Sequence, residues 1–419
     1  MSKCDAIEPI EQTATFTLGQ AVREFGQAYV EQYNPSGRAI KILNKIGNCK
    51  TAALGGQLIS CTCGYQKYNY YSCGDGNCPQ CQSIKRELWI DKMAYHLLPV
   101  KHYHVIFTIP HQFNEMAYYN QKKVYNTLFQ SAWESITKIV GKGSTGMVAT
   151  LHSWGSNLSH HPHLHCIVPC GKLHEDKWIE VSSPNKRFLC KSEDLRRDFK
   201  DNFLRRLGKL IEDEELYIPH LEGQDRIEHL VKSYCSTLRK KWNVRIEAPV
   251  LGVQQIIEYL GRYVRRVAIS NSSIQKITES HVTLKYKQYK KQKKGQPAPI
   301  GTIDFEGAAF IQRFMQHILP PNFHRVRYFG FYAWSAKNKR QKAFKVITKR
   351  TMGGYSKPLK RQLLIKMLGI DPDLCPHCGS YNTLTADIVP NDNEMFFYIK
   401  AKWHNVHIKL WRQDNNIAA

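Results

Sequence analysis

Two short motifs, well separated along the chain, carry the side chains best suited to chemistry. The first is His163-Leu164-His165, and the second is Tyr259-Leu-Gly-Arg-Tyr263. Alternate side chains of a strand point to the same face, so both imidazoles of the first motif can share one divalent ion. Residues four apart in a helix stand on one face, so the two phenols lie together. A metal site facing paired phenols indicates attack on a phosphodiester, with the tyrosine becoming covalently joined to DNA.

The tyrosine motif also has a purely structural interpretation. In a helix, Tyr259 and Tyr263 stand at the edge of an apolar stripe, which is typical of half-buried core residues. Arg262 and Arg266 lie beside the tyrosines and are less expected in a core. Their guanidinium groups are suited to clamp a phosphate through two hydrogen bonds and to favour phenolate over phenol. We therefore predict that both arginines bind DNA.

The histidine motif belongs to a cluster of four histidines within six residues. Pro162 lacks the N–H needed for a sheet ladder, so the strand begins at or after it and the ordered pair is His163 and His165. The preceding run from Val148 to Trp154 also has the pattern of a strand. A hairpin of this length brings His152 beside the pair as a third metal ligand.

The N-terminal cysteines indicate a zinc site. Cys61-Thr62-Cys63 and Cys78-Pro79-Gln80-Cys81 are short knuckles, and Cys73 lies between them. Thiolates at such spacing hold zinc tetrahedrally and stabilise a loop that has little hydrophobic core. We predict Cys61, Cys63, Cys78 and Cys81 as the ligands, with Cys73 as a substitute for Cys61 because the first knuckle is unusually short.

A further knuckle, Cys375-Pro376-His377-Cys378, lies near the C-terminus, but no second cysteine pair follows it. In one interpretation, His404 and His407 complete a second zinc site across a long loop. In the other, Cys375 and Cys378 are unbridged surface cysteines. The chain has 13 cysteines, an odd number, and their tight clusters favour metal binding in a reducing cytoplasm over disulfides.

Composition favours a nucleic-acid partner. Lys and Arg total 60 against 35 Asp and Glu, which gives a net charge of +25, as expected for a protein that meets phosphate backbones. With 419 residues and 42% hydrophobic content, the chain can bury a substantial core, which excludes a disordered basic tail. No apolar run is long enough to span a bilayer, and the N-terminus has no apolar signal core. We therefore expect a soluble, cytoplasmic protein.

The pattern along the chain predicts an α+β fold in three parts. Residues 1–95 hold a helical lead-in and the zinc-binding domain, residues 96–275 the catalytic domain, and residues 276–419 a basic DNA-binding region. Tyr103–Ile109 has the composition of a buried strand, and residues 114–140 and 187–245 have helical spacing. The domain that carries the histidines therefore alternates strands with helices.

A lysine-rich segment opens the C-terminal part. Lys285, Lys287, Lys290 and Lys291 are interleaved with tyrosines, a pattern suited to binding the backbone of single-stranded DNA and stacking its bases. Solvated loops have the same lysine-rich composition, so both interpretations stay open. Further basic residues between Arg325 and Arg350 would position DNA without specifying its sequence.

These motifs, taken in order, resemble those of the two-tyrosine branch of the HUH endonuclease superfamily: Phe107-Thr108 in a strand, then His-hydrophobic-His, then Tyr-x3-Tyr. More closely, the chain is similar to rolling-circle transposases of the insertion sequence 91 family. The likeness runs from about residue 20 to residue 335 and is carried by the stretches 51–56, 72–81, 154–165 and 259–271.

The resemblance implies a ferredoxin-like HUH core, an antiparallel sheet with helices on one face. A central strand would carry the ligands His163 and His165, and a helix the nucleophiles Tyr259 and Tyr263. It also implies Mg²⁺ or Mn²⁺ at the histidines, structural Zn²⁺ in the N-terminal domain, and no ATP. The third ligand varies across the superfamily. His152 resembles a histidine of the relaxases, and Gln255 is the alternative.

The activity implied is nicking and rejoining of single-stranded DNA at transposon ends through a 5′-phosphotyrosine. Three other functions stay open. A plasmid relaxase or replication initiator would use the same motifs, although the cysteine domain and the breadth of the likeness disfavour it. In a zinc-ribbon DNA-binding protein, the histidines would hold a structural metal and the tyrosines would be core. A metal-dependent hydrolase would attack with water instead of tyrosine.

Overall fold

The computed structural model describes residues 16–141, 145–182, 189–249, 255–256, 261, 267–293, 295–369, 371–381, 383–389, 396–400 and 407–409. Five residues of the predicted sites lie outside this part of the chain: Tyr259, Arg262, Tyr263, Arg266 and His404. The described residues form a mixture of helices and antiparallel sheets, which confirms the predicted α+β class.

The helices and strands are numbered here along the described part of the chain. The strands are β1 (Gly56–Cys61), β2 (Gln66–Tyr70), β3 (His102–Thr108), β4 (Gly146–Trp154), β5 (His160–Pro169), β6 (Lys172–His174), β7 (Lys177–Ile179), β8 (Asn243–Ile246), β9 (Ile274–Ile277), β10 (His281–Lys287), β11 (Ile300–Glu306), β12 (Val326–Gly330), β13 (Thr383–Val389), β14 (Phe396–Lys400) and β15 (His407–Lys409). The α-helices are α1 (Leu18–Tyr33), α2 (Gly37–Gly47), α3 (Pro79–His96), α4 (Asn114–Tyr119), α5 (Gln121–Val140), α6 (Ser192–Glu212), α7 (Gly223–Leu238), α8 (Gly307–Met315), α9 (Lys337–Thr348) and α10 (Lys360–Leu368).

The chain divides into two compact units, each built from separate stretches. Met1–Cys81, Ile269–Met315 and Leu374–Ala419 form the first, called here the cysteine unit. Gln82–Ala268 and Gln316–Asp373 form the second, the histidine unit. This division differs from the three consecutive parts expected from the sequence, because the C-terminal part is shared between both units. Local patterns locate the elements but do not show which distant stretch each one packs against.

The cysteine unit contains two antiparallel sheets, with the orders β15-β14-β13-β1-β2 and β11-β10-β9. Its first helix, α1, begins at a capping box. The Thr17 hydroxyl accepts a hydrogen bond from the Gln20 amide at 3.1 Å, and the Gln20 side chain accepts one from the Thr17 amide at 2.8 Å. The helix packs its apolar face on α2 and α8.

The histidine unit is built on one sheet with the order β12-β4-β5-β3-β8. One face packs against α5 and α6 through Val105, Phe107 and Leu164. The opposite face carries Val148 and Ile167, which pack in a second cluster with Trp89 and Met93 of α3. Helices therefore cover both faces of the sheet, whereas the resemblance implied one face only. Among the described residues, no helix has the length and hydrophobicity needed to cross a bilayer.

Candidate functional site

Two neighbouring strands bring three histidines together in the histidine unit. His152 of β4 pairs directly with His163 of β5, and strand alternation places His165 on the same face. The ring centroids are 5.4 Å apart for His152 and His163, 4.6 Å for His152 and His165, and 5.0 Å for His163 and His165. One nitrogen of each ring lies within 4.8 Å of the others. Gln255, the alternative third ligand, has an exposed side chain.

Hydrogen bonds fix which nitrogen of His163 and of His165 can bind a metal. His163 Nδ1 lies 2.7 Å from the carbonyl oxygen of His161, so Nδ1 is the donor and Nε2 carries the lone pair. His165 Nδ1 lies 2.9 Å from His104 Nε2, and His104 Nδ1 lies 2.8 Å from Glu247 Oε2. Because the carboxylate only accepts, His104 Nδ1 donates to it and His104 Nε2 accepts from His165 Nδ1. His165 therefore also presents Nε2 as its metal-binding atom.

The surroundings favour the neutral imidazoles that a metal needs. Burial lowers the pKa of His163 to about 4. His152 is 4% exposed and His165 is 9% exposed, so neither ring is well solvated. A neutral imidazole is a common ligand of divalent ions, and three of them leave coordination positions open. The donor set fits one divalent ion. His104 and Glu247 were not predicted from the sequence as site residues. The motif His102-Tyr103-His104, which has the same spacing as His163 and His165, was the available signal.

The segment that contains the predicted nucleophiles is described at Gln255, Ile256 and Gly261. Ile256 is 1% exposed and packs in the cluster that contains Val148 and Ile167. Strand alternation places these two residues on the same sheet face as the three histidines. A methyl group added at Gly261 would lie 2.9 Å from Ile90 Cδ1 of α3. The described residues on either side of Tyr259 therefore pack against elements of the histidine-bearing face.

Eight of the described cysteines form two groups of four. The sequence predicted one N-terminal ligand set and a separate C-terminal knuckle. In each group the sulfur atoms lie within 4.8 Å of one another, and the groups are Cys49, Cys73, Cys78 and Cys81, and Cys61, Cys63, Cys375 and Cys378. The four predicted N-terminal ligands are thus divided between the groups. The ladder of β1 with β13 brings Cys61 to the C-terminal knuckle. Cys49 has no cysteine near it in sequence, so its spacing carried no signal.

The first group has the dimensions of a zinc site. Cys49 Sγ lies 3.5 Å from both Cys78 Sγ and Cys81 Sγ, and Cys73 Sγ lies 3.5 Å from Cys81 Sγ. Four thiolates about 2.3 Å from a tetrahedral zinc are about 3.8 Å apart. Burial raises the pKa of Cys73 to about 12 and also raises the pKa of Cys78, and a bound cation would oppose this effect by stabilising the thiolates. The side chains of His404 and His407 lie outside the described residues.

The predicted DNA-binding lysines lie on the surface of the cysteine unit. Lys285 and Lys287 are exposed on β10, and Lys291 is exposed in the turn that follows. Lys290 belongs to the same turn, but its side chain is outside the described part. Tyr289, between them, is 61% exposed. The segment thus begins as a strand, and the contact of these side chains with DNA stays a prediction.

Comparison with known proteins agrees with this arrangement. The family described as "Transposase zinc-binding domain" matches residues 21–109, and the family described as "Putative transposase" matches residues 146–341. A relative named "Putative transposase y4qJ", from Sinorhizobium fredii, is 33% identical in an alignment of 386 positions that covers 87% of this chain and 94% of that protein. The "Transposase for insertion sequence element IS801" of Pseudomonas savastanoi pv. phaseolicola is 24% identical over 360 residues, 83% of this chain and 84% of its own length.

The cysteine groups, the fold and these matches together define a zinc-binding transposase, an enzyme whose substrate is DNA. The chain belongs to the insertion sequence 91 family of transposases, which confirms the relationship inferred from its motifs. The match to the zinc-binding family and the cysteine groups both support structural zinc.

Proposed function

We propose that the chain nicks and rejoins single-stranded DNA at transposon ends through a 5′-phosphotyrosine, as a two-tyrosine HUH endonuclease. The observation that carries the proposal is the grouping of His152, His163 and His165 on one sheet face. Ile256 packs on that face and lies three residues before Tyr259 in sequence. A metal site and a phenol are the two components that this reaction needs.

The histidines would hold one divalent ion, with His163 and His165 binding through Nε2. When bound, the ion supplies Lewis-acid stabilisation of charge on the attacked phosphate. Between the two ions that the resemblance implies, the donor set favours Mn²⁺, because Mg²⁺ prefers oxygen ligands and an all-imidazole site offers none. The burial of His152 and His165 also keeps bulk water away from the ligands.

The tyrosine and its neighbours would carry out the covalent step. The phenol oxygen of Tyr259 or Tyr263 attacks phosphorus and loses its proton, while the bond from phosphorus to the 3′ oxygen breaks and that oxygen gains a proton. Arg262 and Arg266 would hold the phosphate oxygens. The phosphotyrosine link conserves the energy of the broken phosphodiester bond. Attack on it by another 3′-OH therefore rejoins strands without a nucleotide cofactor. Two tyrosines allow one site to hold two such links.

An adduct assay tests this function. The full chain is incubated with single-stranded oligonucleotides from its element's ends and Mn²⁺, then run on a denaturing gel. We expect a protein–DNA adduct that Tyr259→Phe or Tyr263→Phe diminishes and His163→Ala abolishes. Tyr217→Phe is the control, since Tyr217 is 58% exposed and lies outside the predicted site.

The other functions predict different results in the same assay. Cleavage without an adduct indicates a hydrolase that attacks with water. Binding without cleavage of any end sequence indicates a zinc-ribbon DNA-binding protein and contradicts the proposal. A relaxase or replication initiator would cleave a plasmid origin strand in preference to the transposon ends.

A further inference from the structure

We propose that Cys61, Cys63, Cys375 and Cys378 bind a second zinc ion, which fastens the returning C-terminal stretch to the cysteine unit. Two of these cysteines lie inside the matched zinc-binding family region, residues 21–109, and two lie far beyond it. The site is therefore assembled from both ends of the chain. It shares no ligand with the group formed by Cys49, Cys73, Cys78 and Cys81.

The sulfur geometry is that of a tetrahedral site. Cys61 Sγ lies 3.5 Å from Cys378 Sγ, and Cys63 Sγ lies 3.8 Å from Cys375 Sγ. These separations match the edge of about 3.8 Å expected for four thiolates around zinc. They are much longer than the sulfur–sulfur bond of a disulfide, which is about 2.0 Å. All four cysteines are free thiols.

The two knuckles have a similar local construction, although the first is one residue shorter. In the first, the Gly64 amide donates to the Cys61 carbonyl at 2.9 Å, and the Cys61 amide donates to Tyr65 at 2.9 Å. In the second, the Gly379 amide donates to the Cys375 carbonyl at 2.8 Å, and the Cys375 amide donates to Ser380 at 2.9 Å. Each turn brings its two thiols close together, within 4.8 Å of each other and of the other pair.

A glycine follows the second cysteine of each knuckle, and both glycines have a left-handed backbone. Their φ angles are +88° for Gly64 and +69° for Gly379. Residues with a Cβ rarely adopt this conformation, so glycine allows the chain to turn back immediately after the thiol. The same solution at two distant places indicates two halves of one metal site.

Strand pairing explains why the knuckles meet. β1 pairs with β13 from Gly56 opposite Ile388 to Cys61 opposite Thr383. The first knuckle begins where this ladder ends, and the second lies just before β13 in sequence. The last return of the chain to the cysteine unit begins at Leu374, one residue before Cys375. An ion at this point would close the end of the ladder and hold the returning stretch.

The consequence for the fold is a long closed loop. Cys63 and Cys375 are 312 residues apart in sequence, so a metal bond between them joins stretches that the backbone connects only through the rest of the protein. Closing a longer loop removes more conformational freedom from the unfolded chain. The first group spans only Cys49 to Cys81 and does not constrain the C-terminal stretch.

The two sites also differ in exposure. Cys63 and Cys378 are exposed, whereas Cys49, Cys78 and Cys81 are buried. A chelator therefore reaches the second site more easily, and its ion should be released first. The difference allows the two ions to be distinguished in one preparation.

Zinc stoichiometry in the full-length protein tests the ligand set. Elemental analysis is made on the chain carrying His163→Ala, so that the three-histidine group contributes no zinc, and should give two zinc ions per chain. In this background, Cys61→Ser/Cys63→Ser and Cys375→Ser/Cys378→Ser should each give one. The quadruple variant should also give one, because both pairs serve the same ion. Cys235→Ser, at an exposed cysteine outside both groups, should retain two.

Several results would overturn the proposal. Two ions retained in Cys375→Ser/Cys378→Ser would exclude the C-terminal ligands, and zero ions in the quadruple variant would show that the pairs belong to different sites. Loss of one ion in His404→Ala/His407→Ala alone would favour the histidine alternative. Cobalt substitution of the unmodified chain is a check that needs no variant, since two tetrahedral thiolate sites should bind two equivalents with the absorption of sulfur-to-cobalt charge transfer.

Hydrogen exchange tests the fastening role separately. In Cys375→Ser/Cys378→Ser, amides of β13 and of its ladder partner β1 should exchange faster than in the parent, while those from Cys73 to Cys81, around the first group, should keep their rates. Unchanged exchange in β13 after loss of the ion would contradict the role assigned to it. Neither zinc content nor hydrogen exchange depends on DNA cleavage. The second zinc site can therefore be contradicted without affecting the proposed endonuclease function, and the reverse also holds.

Discussion

At the scale of single residues, the candidate metal centre is organised by hydrogen bonds behind the ligands. The Glu247 carboxylate accepts from His104, which in turn accepts from His165. The Glu247 amide also donates to the His104 carbonyl at 2.9 Å, so the pair is joined by backbone and side chain. These contacts place the proton of His104 on Nδ1 and the proton of His165 on Nδ1. Nε2 of His165 is therefore the nitrogen that can bind an ion. We propose that His104 and Glu247 position His165 for metal binding.

Replacing the carboxylate should weaken metal binding. In Glu247→Gln the amide is a poorer acceptor and can also donate, so the tautomers of His104 and His165 are no longer fixed. We expect the Kd for Mn²⁺ to rise about 10-fold or more, the usual effect of losing such a partner. Calorimetric titration or Mn²⁺ electron paramagnetic resonance on the full chain measures it without reference to cleavage.

A matched carboxylate provides the control. Glu215 forms an exposed ion pair with Lys123 at 3.1 Å, and Glu215→Gln should leave the Mn²⁺ affinity unchanged. An equal affinity in Glu247→Gln and in the parent chain would mean that the carboxylate does not position His165.

At the scale of elements, the sequence was most informative where periodicity was strong. The run Tyr103–Ile109 predicted β3, the spacing over residues 114–140 predicted α4 and α5, and the histidine hairpin appeared as β4 and β5. A local pattern was sufficient to identify these segments. The expected start of β5 was wrong, because the strand begins at His160 and includes Pro162. Pro162 is accommodated because the ladder with β3 ends at His163 and the pairing with β4 is irregular there. His152 could be placed beside His163 because a hairpin fixes the register of its strands.

Contacts between remote segments could not be read in this way. Cys61 lies near Cys378 because β1 and β13 pair, and the composition of neither strand predicts this pairing. His104 meets Glu247 because β3 pairs with β8 from Val105 opposite Ile246 to Thr108 opposite Asn243. Hydrophobic alternation indicates which face of a strand is buried. It does not indicate which other strand lies beside it, because many strands have the same alternation. The ligand set predicted from the sequence, Cys61, Cys63, Cys78 and Cys81, therefore stays a prediction, while the structure divides these four cysteines between two groups.

The segment around Tyr259 gives a prediction at this scale. Ile256→Ala removes a side chain that packs among Val148, Ile167 and Trp89, and so should weaken the attachment of the segment to the histidine-bearing face. We expect Mn²⁺ affinity to stay near that of the parent chain, while adduct formation falls about 10-fold or more, as misplaced reacting groups cost large factors in rate.

Ile136→Ala is the matched control for this change. Ile136 is fully buried on α5, in the cluster on the other face of the sheet. Its truncation should destabilise the fold by about 2–5 kcal/mol without affecting adduct formation below the unfolding temperature. If both variants reduce the adduct equally at matched stability, packing at Ile256 has no special role in placing the segment.

At the scale of the whole molecule, the chain passes between its two units more than once. It leaves the cysteine unit after Cys81, returns at Ile269, leaves after Met315 and returns at Leu374. The first metal group ends at Cys81, and the proposed second site includes Cys375, so each group stands at a crossing point of the chain. Within the cysteine unit, metal binding at these two groups would hold together stretches of chain that have only small cores of their own.

The net charge of +25 gives the last prediction, because a basic protein binds DNA by displacing counterions. If Lys285, Lys287 and Lys291 contact the backbone, their replacement by alanine should reduce the slope of log Kd against log salt by about 2, since each single-strand phosphate contact contributes about 0.7. Fluorescence anisotropy with a labelled single strand measures the slope. Alanine at Lys209, Lys232 and Lys240, exposed lysines of the histidine unit, lowers the net charge equally, from +25 to +22, and should leave the slope unchanged. Equal reductions in both triple variants would show that attraction comes from overall charge and not from contacts along β10 and its turn.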